Sequence, residues 1–129
     1  LPDVKGVNNH MGSKLTEDPA RMNQIFSVLK RKGLFFVDSL TTPESRGESS
    51  ARLFKVPFGK RDVFIDHIED RRFIMNQLEE LVRTAKARGF SVGIAHPREI
   101  TYQVLGDMLP ELRKQVDLVP VSRLVHPPD

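Results

Sequence analysis

Gly6-Val7-Asn8-Asn9-His10-Met11-Gly12-Ser13 is a short apolar entry running straight into side chains able to bind a metal or a polar ligand. A core strand has no use for Asn-Asn-His in a row, because buried amides and a buried imidazole each need partners. Gly12 permits a sharp turn or a close backbone approach to a ligand. Two readings are open for the run itself: a polar loop that caps a helix starting near Thr16, or a binding site. The recurrence of the same pattern along the chain favours the site.

Working outward, strand and helix alternate about five times. Residues 4–7 read as a strand. Asp18-Pro19 starts a helix with an N-cap and a proline at the first helical position. Its apolar stripe is Met22, Ile25, Phe26 and Leu29, and it ends at Gly33 behind Lys30-Arg31-Lys32, cations that oppose the helix dipole. Residues 34–37 form an unbroken apolar run, as in a strand covered on both faces. Thr42-Pro43-Glu44 opens a helix predicted to reach Phe54, and Val56-Pro57-Phe58-Gly59 reads as a loop. Residues 61–65 are a third strand. A helix with Asp70 as cap and Ile74, Leu78, Leu81, Val82 and Ala85 inward ends at Gly89. Residues 90–95 are a fourth strand, Thr101 is read as the cap of the next helix, and Pro110 is expected to break it. Residues 116–121 read as a last strand, and the tail from His126 as irregular. The pattern predicts an α/β fold of alternating β/α units with a mainly parallel sheet, one domain over residues 1–129.

Each predicted strand ends in a chemistry-bearing side chain: His10, Asp38, Asp66, His96 and then Ser122. From His10 to Asp38 and from Asp38 to Asp66 is 28 positions each, and from Asp66 to His96 is 30. In parallel α/β architectures the strand C-termini share one side, where sites form. Two His and two Asp at such positions suit a divalent-metal site or an acid/base pair. At the third position His67 or Glu69 competes with Asp66. The bland alternative is that these side chains only cap helices.

Composition removes other classes. Lys and Arg number 20 against 17 Asp and Glu, a net charge of +3 with both signs spread along the chain. Basic clusters lack interleaved aromatics, a poor nucleic-acid footprint. Nothing approaches the roughly 18 apolar residues of a membrane span. There is no cysteine, and no phosphate-loop, G-x-S-x-G or HExxH pattern. The opening Leu1-Pro2-Asp3-Val4, without methionine and with a strand almost at once, reads as a segment of a longer protein.

These motifs resemble the divergent polysaccharide deacetylase family of bacteria. The residues that carry the resemblance are the Asn-Asn-His-Met-Gly-Ser run, Phe35-Phe36-Val37-Asp38-Ser39 with Thr41-Thr42, and Arg61-Asp62-Val63-Phe64-Ile65-Asp66. Ala95-His96-Pro97 and Leu118-Val119-Pro120-Val121-Ser122 complete it, in order across almost the whole chain. Ala95 stands where the family commonly has Gly.

The resemblance implies the C-terminal half of a distorted (β/α) barrel of the deacetylase type, in a secreted or periplasmic family. It implies a carbohydrate deacetylase using a divalent metal, zinc above all. His10 is the expected metal ligand, Asp38 and His96 the expected catalytic pair, and Asn8, Asn9, Ser13 and Asp66 the expected contacts to substrate. The family's first half, with its Asp-Asp motif, is absent, so this chain by itself is expected to be inactive and to self-associate through exposed barrel edges. A non-catalytic glycan-binding or cell-envelope scaffold is the alternative.

Overall fold

A computed structural model describes residues 3–10 and 12–129. Leu1 and Pro2, on which the reading of the chain's start rests, and Met11 of the Asn-Asn-His run lie outside the described residues. The chain divides into two compact units, Leu1–Lys60 with Pro120–Asp129, and Arg61–Val119.

In the first unit, strands β1 (Gly6–Asn8), β2 (Phe35–Asp38) and β3 (Phe58–Lys60) form a parallel sheet in the order β1-β2-β3. Helices α1 (Ser13–Thr16), α2 (Pro19–Lys32) and α3 (Gly47–Phe54) connect them. The start and stop chemistry of α2 is as predicted. Asp18 accepts from the Arg21 N–H at 3.1 Å, Pro19 is the first helical residue, and Gly33 closes the helix at φ 67°. Met22, Phe26 and Leu29 of α2 are buried with Phe36 and Phe58 of the sheet. The Phe36 ring lies 5.0 Å from Phe26 and 6.3 Å from Phe58, spacings at which aromatic pairs add to plain burial.

In the second unit, β4 (Val63–Phe64) and β5 (Gly93–Ile94) pair in parallel, each followed by a helix, α4 (Arg71–Arg88) and α5 (Glu99–Gln115). Asp70 caps α4 by accepting from Phe73 N–H at 2.9 Å, and Gly89 ends it at φ 96°. The predicted stripe Ile74, Leu78 and Val82 is buried against Ile65, Val104 and Leu112.

The structure corrects several predicted elements. Residues 116–121 form no strand: Pro120 has no N–H to give a ladder, Leu118 and Val119 are exposed, and Ser122 sits in a 3₁₀ turn, Val121–Arg123. The expected loop at Phe58-Gly59 is strand β3. Its entry proline is tolerated at an edge, where the Pro57 carbonyl accepts from Phe36 N–H at 2.9 Å. The supposedly irregular His126 bridges to Phe58. Helix α3 begins at Gly47 and not at Thr42, whose hydroxyl is taken by Glu17 at 2.6 Å and by the Glu44 N–H at 3.1 Å. Helix α5 continues through Pro110 and starts before Thr101, with Arg98 at its N-cap.

Ile74 is fully buried in the second core. Ile74→Ala is expected to lower stability by about 2–5 kcal/mol, read as a shift of the urea midpoint with an unchanged slope; a loss under about 1 kcal/mol would contradict this core assignment.

Candidate functional site

Asp66 follows β4 and His96 follows β5, so the parallel register of these two strands sets them side by side. The Asp66 side chain is fully buried, and the His96 side chain is 30% exposed. Asp66 Oδ1 lies 2.8 Å from His96 Nδ1. Oδ2 accepts from the His96 main-chain N–H at 2.9 Å and from the Thr101 hydroxyl at 2.7 Å. Arg98 donates to the Asp66 carbonyl and pairs with Glu69 at 3.5 Å. The segment from His96 to Thr101 therefore wraps one carboxylate.

Burial is the largest influence on Asp66 and pushes its pKa up. The His96 side-chain bond, the Thr101 hydroxyl, the His96 N–H and the His96 charge together outweigh it and hold the carboxyl below its ordinary 3.8. The carboxylate is then ionised at neutral pH and can only accept, so His96 Nδ1 must be the donor. In neutral His96 the proton accordingly sits on Nδ1, and Nε2 is the basic nitrogen, an arrangement suited to general acid/base work. Asp66, expected to touch substrate, instead has no solvent exposure and acts on the imidazole beside it.

In the first unit the polar run is engaged in stitching loops. Asn8 Nδ2 donates to the Val37 carbonyl at 2.8 Å and to Ser39 Oγ at 2.9 Å. Asn9 Oδ1 accepts from the Ser39 N–H at 2.9 Å, and the Asn9 carbonyl accepts from the Ser39 hydroxyl at 2.7 Å. Ser13 Oγ lies 3.0 Å from Thr41 Oγ1. These bonds tie the end of β1 to the turn after β2, competing with the sugar contacts expected of Asn8, Asn9 and Ser13. His10 is exposed just beyond β1.

Asp38 is buried at the end of β2. Its Oδ1 accepts from Leu40 N–H at 2.8 Å and its Oδ2 from the Ser45 hydroxyl at 2.5 Å. A Cβ at Gly47 would come within 2.7 Å of that Oδ2, so the loop is closed tightly around the carboxylate. This carboxylate holds a turn, with Leu40 in the left-handed region at φ 50°.

Among the other candidates, His67 stands edge-on to Phe64 and Phe73, with ring centroids 6.4 and 4.7 Å away. Among the described residues, the metal expected at His10 finds no ready cage within either unit. The carboxylates of Asp38 and Asp66 have both oxygens occupied by the donors above, and among the described residues no group of three or more His, Asp or Glu side chains is placed to hold an ion. Thr101 and Arg98 were not legible as site residues. Thr101 meets Asp66 across 35 positions of sequence, and no local motif marks that pairing.

The family model described as divergent polysaccharide deacetylase matches residues 1–125. Curated relatives include the uncharacterized protein YibQ of Escherichia coli (strain K12), 33% identical over 128 residues, covering 99% of this chain and 40% of that protein. An uncharacterized protein of Haemophilus influenzae is 34% identical over 122 residues, covering 95% of this chain and 44% of that protein. The chain thus spans less than half the length of these two relatives. The crystal structure of an uncharacterized protein from Agrobacterium tumefaciens C58 is similar with a TM-score of 0.90 at 24% identity, over 94% of this chain and 50% of that one. That likeness bears on the fold alone and agrees with the expected α/β units and parallel strands. Among the described residues no helix is long and apolar enough to cross a membrane.

Because the folded pKa of Asp66 lies below 3.8, its ionised form favours the folded state. That stabilisation is complete above the unfolded value and is withdrawn as pH falls from about 4 through the lower folded value. Asp66→Asn is expected to be less stable than the parent at pH 7 and to lose less further stability between about pH 4 and 2. Parallel acid titrations of the two proteins, followed by circular dichroism, check this; identical profiles would sink it.

Proposed function

Because the chain belongs to the divergent polysaccharide deacetylase family, we propose that the whole protein hydrolyses acetyl groups from a polysaccharide, of the peptidoglycan type, and that this chain supplies the acid/base pair, His96 held by Asp66. The observation that carries the proposal is the 2.8 Å contact between a sealed carboxylate and a partly exposed imidazole. His96 Nε2 takes a proton as water attacks the acetyl carbonyl, then returns it to the departing amine or alkoxide. Asp66 keeps the ring in one orientation and stabilises the imidazolium that forms between the two transfers.

Among the described residues neither unit by itself assembles the donors for the divalent metal that the family resemblance implies. Asp38 in this scheme shapes the turn after β2 in place of the catalytic role expected of it. A setting outside the cytoplasm, as in the secreted or periplasmic proteins that the resemblance implies, puts the enzyme beside acetylated cell-wall glycan.

The test uses the full-length protein, with zinc added, on acetylated glycan with release of acetate as the readout. His96→Ala is expected to lower kcat by about 10²–10⁴-fold, and Asp66→Asn to lower kcat while leaving KM nearly unchanged. Acetate release that His96→Ala leaves intact would overturn the assignment. Glycan binding without acetate release by the parent protein would replace it with the scaffold reading.

A further inference from the structure

Thr101 is the third residue of α5 and is almost completely buried. A buried threonine in a helix ordinarily satisfies its hydroxyl on a carbonyl of the preceding turn. Here the hydroxyl donates instead to Asp66 Oδ2 at 2.7 Å. The same oxygen already receives the His96 main-chain N–H at 2.9 Å. A carboxylate has two oxygens of equal intrinsic basicity, and a ring N–H can bond either or straddle both. With two donors fixed on Oδ2, Oδ1 is the oxygen presented to His96 Nδ1.

We infer that Thr101 is a positioning residue: by occupying Oδ2 of Asp66, its hydroxyl dedicates Oδ1 to His96 Nδ1 and so fixes which imidazole nitrogen carries the proton. Removing the hydroxyl leaves a buried carboxylate oxygen short of one donor. The carboxylate then gains by turning toward whatever donor remains, and the ring loses its fixed acceptor. Arg98 acts in the same wrap from the backbone side, through the Asp66 carbonyl. It holds the loop without selecting between the carboxylate oxygens, so the selectivity rests on the Thr101 hydroxyl together with the His96 main-chain N–H. The catalytic meaning of this positioning rests on the acid/base reading of His96, whereas the geometry it sets can be measured without any activity.

The experiment is nitrogen-15 NMR of the histidine side chains at pH 8 in this 129-residue chain, with the His96 signals identified through His96→Gln. In the parent, His96 is expected as the Nδ1–H form, with a ring proton protected from solvent. Thr101→Val, which keeps the shape and removes the donor, is expected to mix the two forms and to speed exchange of that proton by about tenfold or more. Thr101→Ser, which keeps the donor, is expected to stay within about twofold of the parent. A folded Thr101→Val with the parent's proton placement and exchange overturns the inference, as does a Thr101→Ser that behaves like Thr101→Val. Should Thr101→Val fail to fold, Thr101→Ala provides the same comparison. Acetate release that survives His96→Ala in the full-length protein would sink the catalytic reading and leave the NMR result standing.

Discussion

An ionised carboxylate without solvent is tolerated only when donors replace the water it has lost. Asp66 meets that demand with three bonds to its carboxylate, from the His96 main-chain N–H, His96 Nδ1 and the Thr101 hydroxyl. The requirement explains much of the second unit. It keeps the segment from His96 to Thr101 curled against the end of β4, and it places the first turn of α5 where Thr101 can reach. It also fixes the orientation of a partly exposed imidazole. The bonds that satisfy the buried carboxylate are the same ones that orient the imidazole.

The first unit solves a different problem with similar means. Two strand-to-helix loops, after β1 and after β2, lie next to each other because their strands are paired. Both are rich in short polar side chains. Asn8 and Asn9 meet Ser39, Ser13 meets Thr41, Glu17 meets Thr42, and Asp38 meets Leu40 and Ser45. Apart from the exposed Ser13–Thr41 pair, these bonds satisfy groups that are partly buried. A run that reads as a ligand-binding motif is in this way also the stitching of the scaffold. Any ligand reaching Asn8 or Asn9 has to compete with the Ser39 hydroxyl and amide.

The elements that local chemistry specifies were legible. Asp18-Pro19 with Gly33, and Asp70 with Gly89, bracket α2 and α4 as predicted, since caps act over three or four residues. The apolar stripes predicted the buried faces of both helices. The short edge strand β3 was not legible. Phe58-Gly59 carries a proline before it and pairs only because β2 offers a free edge, while the more apolar residues 116–121 form no ladder. Whether a short extended run becomes a strand depends on a partner at the right height, which composition does not encode.

By itself the sequence determined the boundaries of α2 and α4, the α/β class and the family, since all three rest on periodicity, capping and a run of motifs in order. It also put polar groups at the strand ends. Only the tertiary structure decided what those groups do. Asp66 meets His96 across 30 positions and Thr101 across 35, and Asp38 turns to its own loop. The reason is geometric: a hydrogen bond between distant residues depends on strand register and on which rotamer leaves no buried donor or acceptor unpaired, and both are settled when the strands pair and the helices pack.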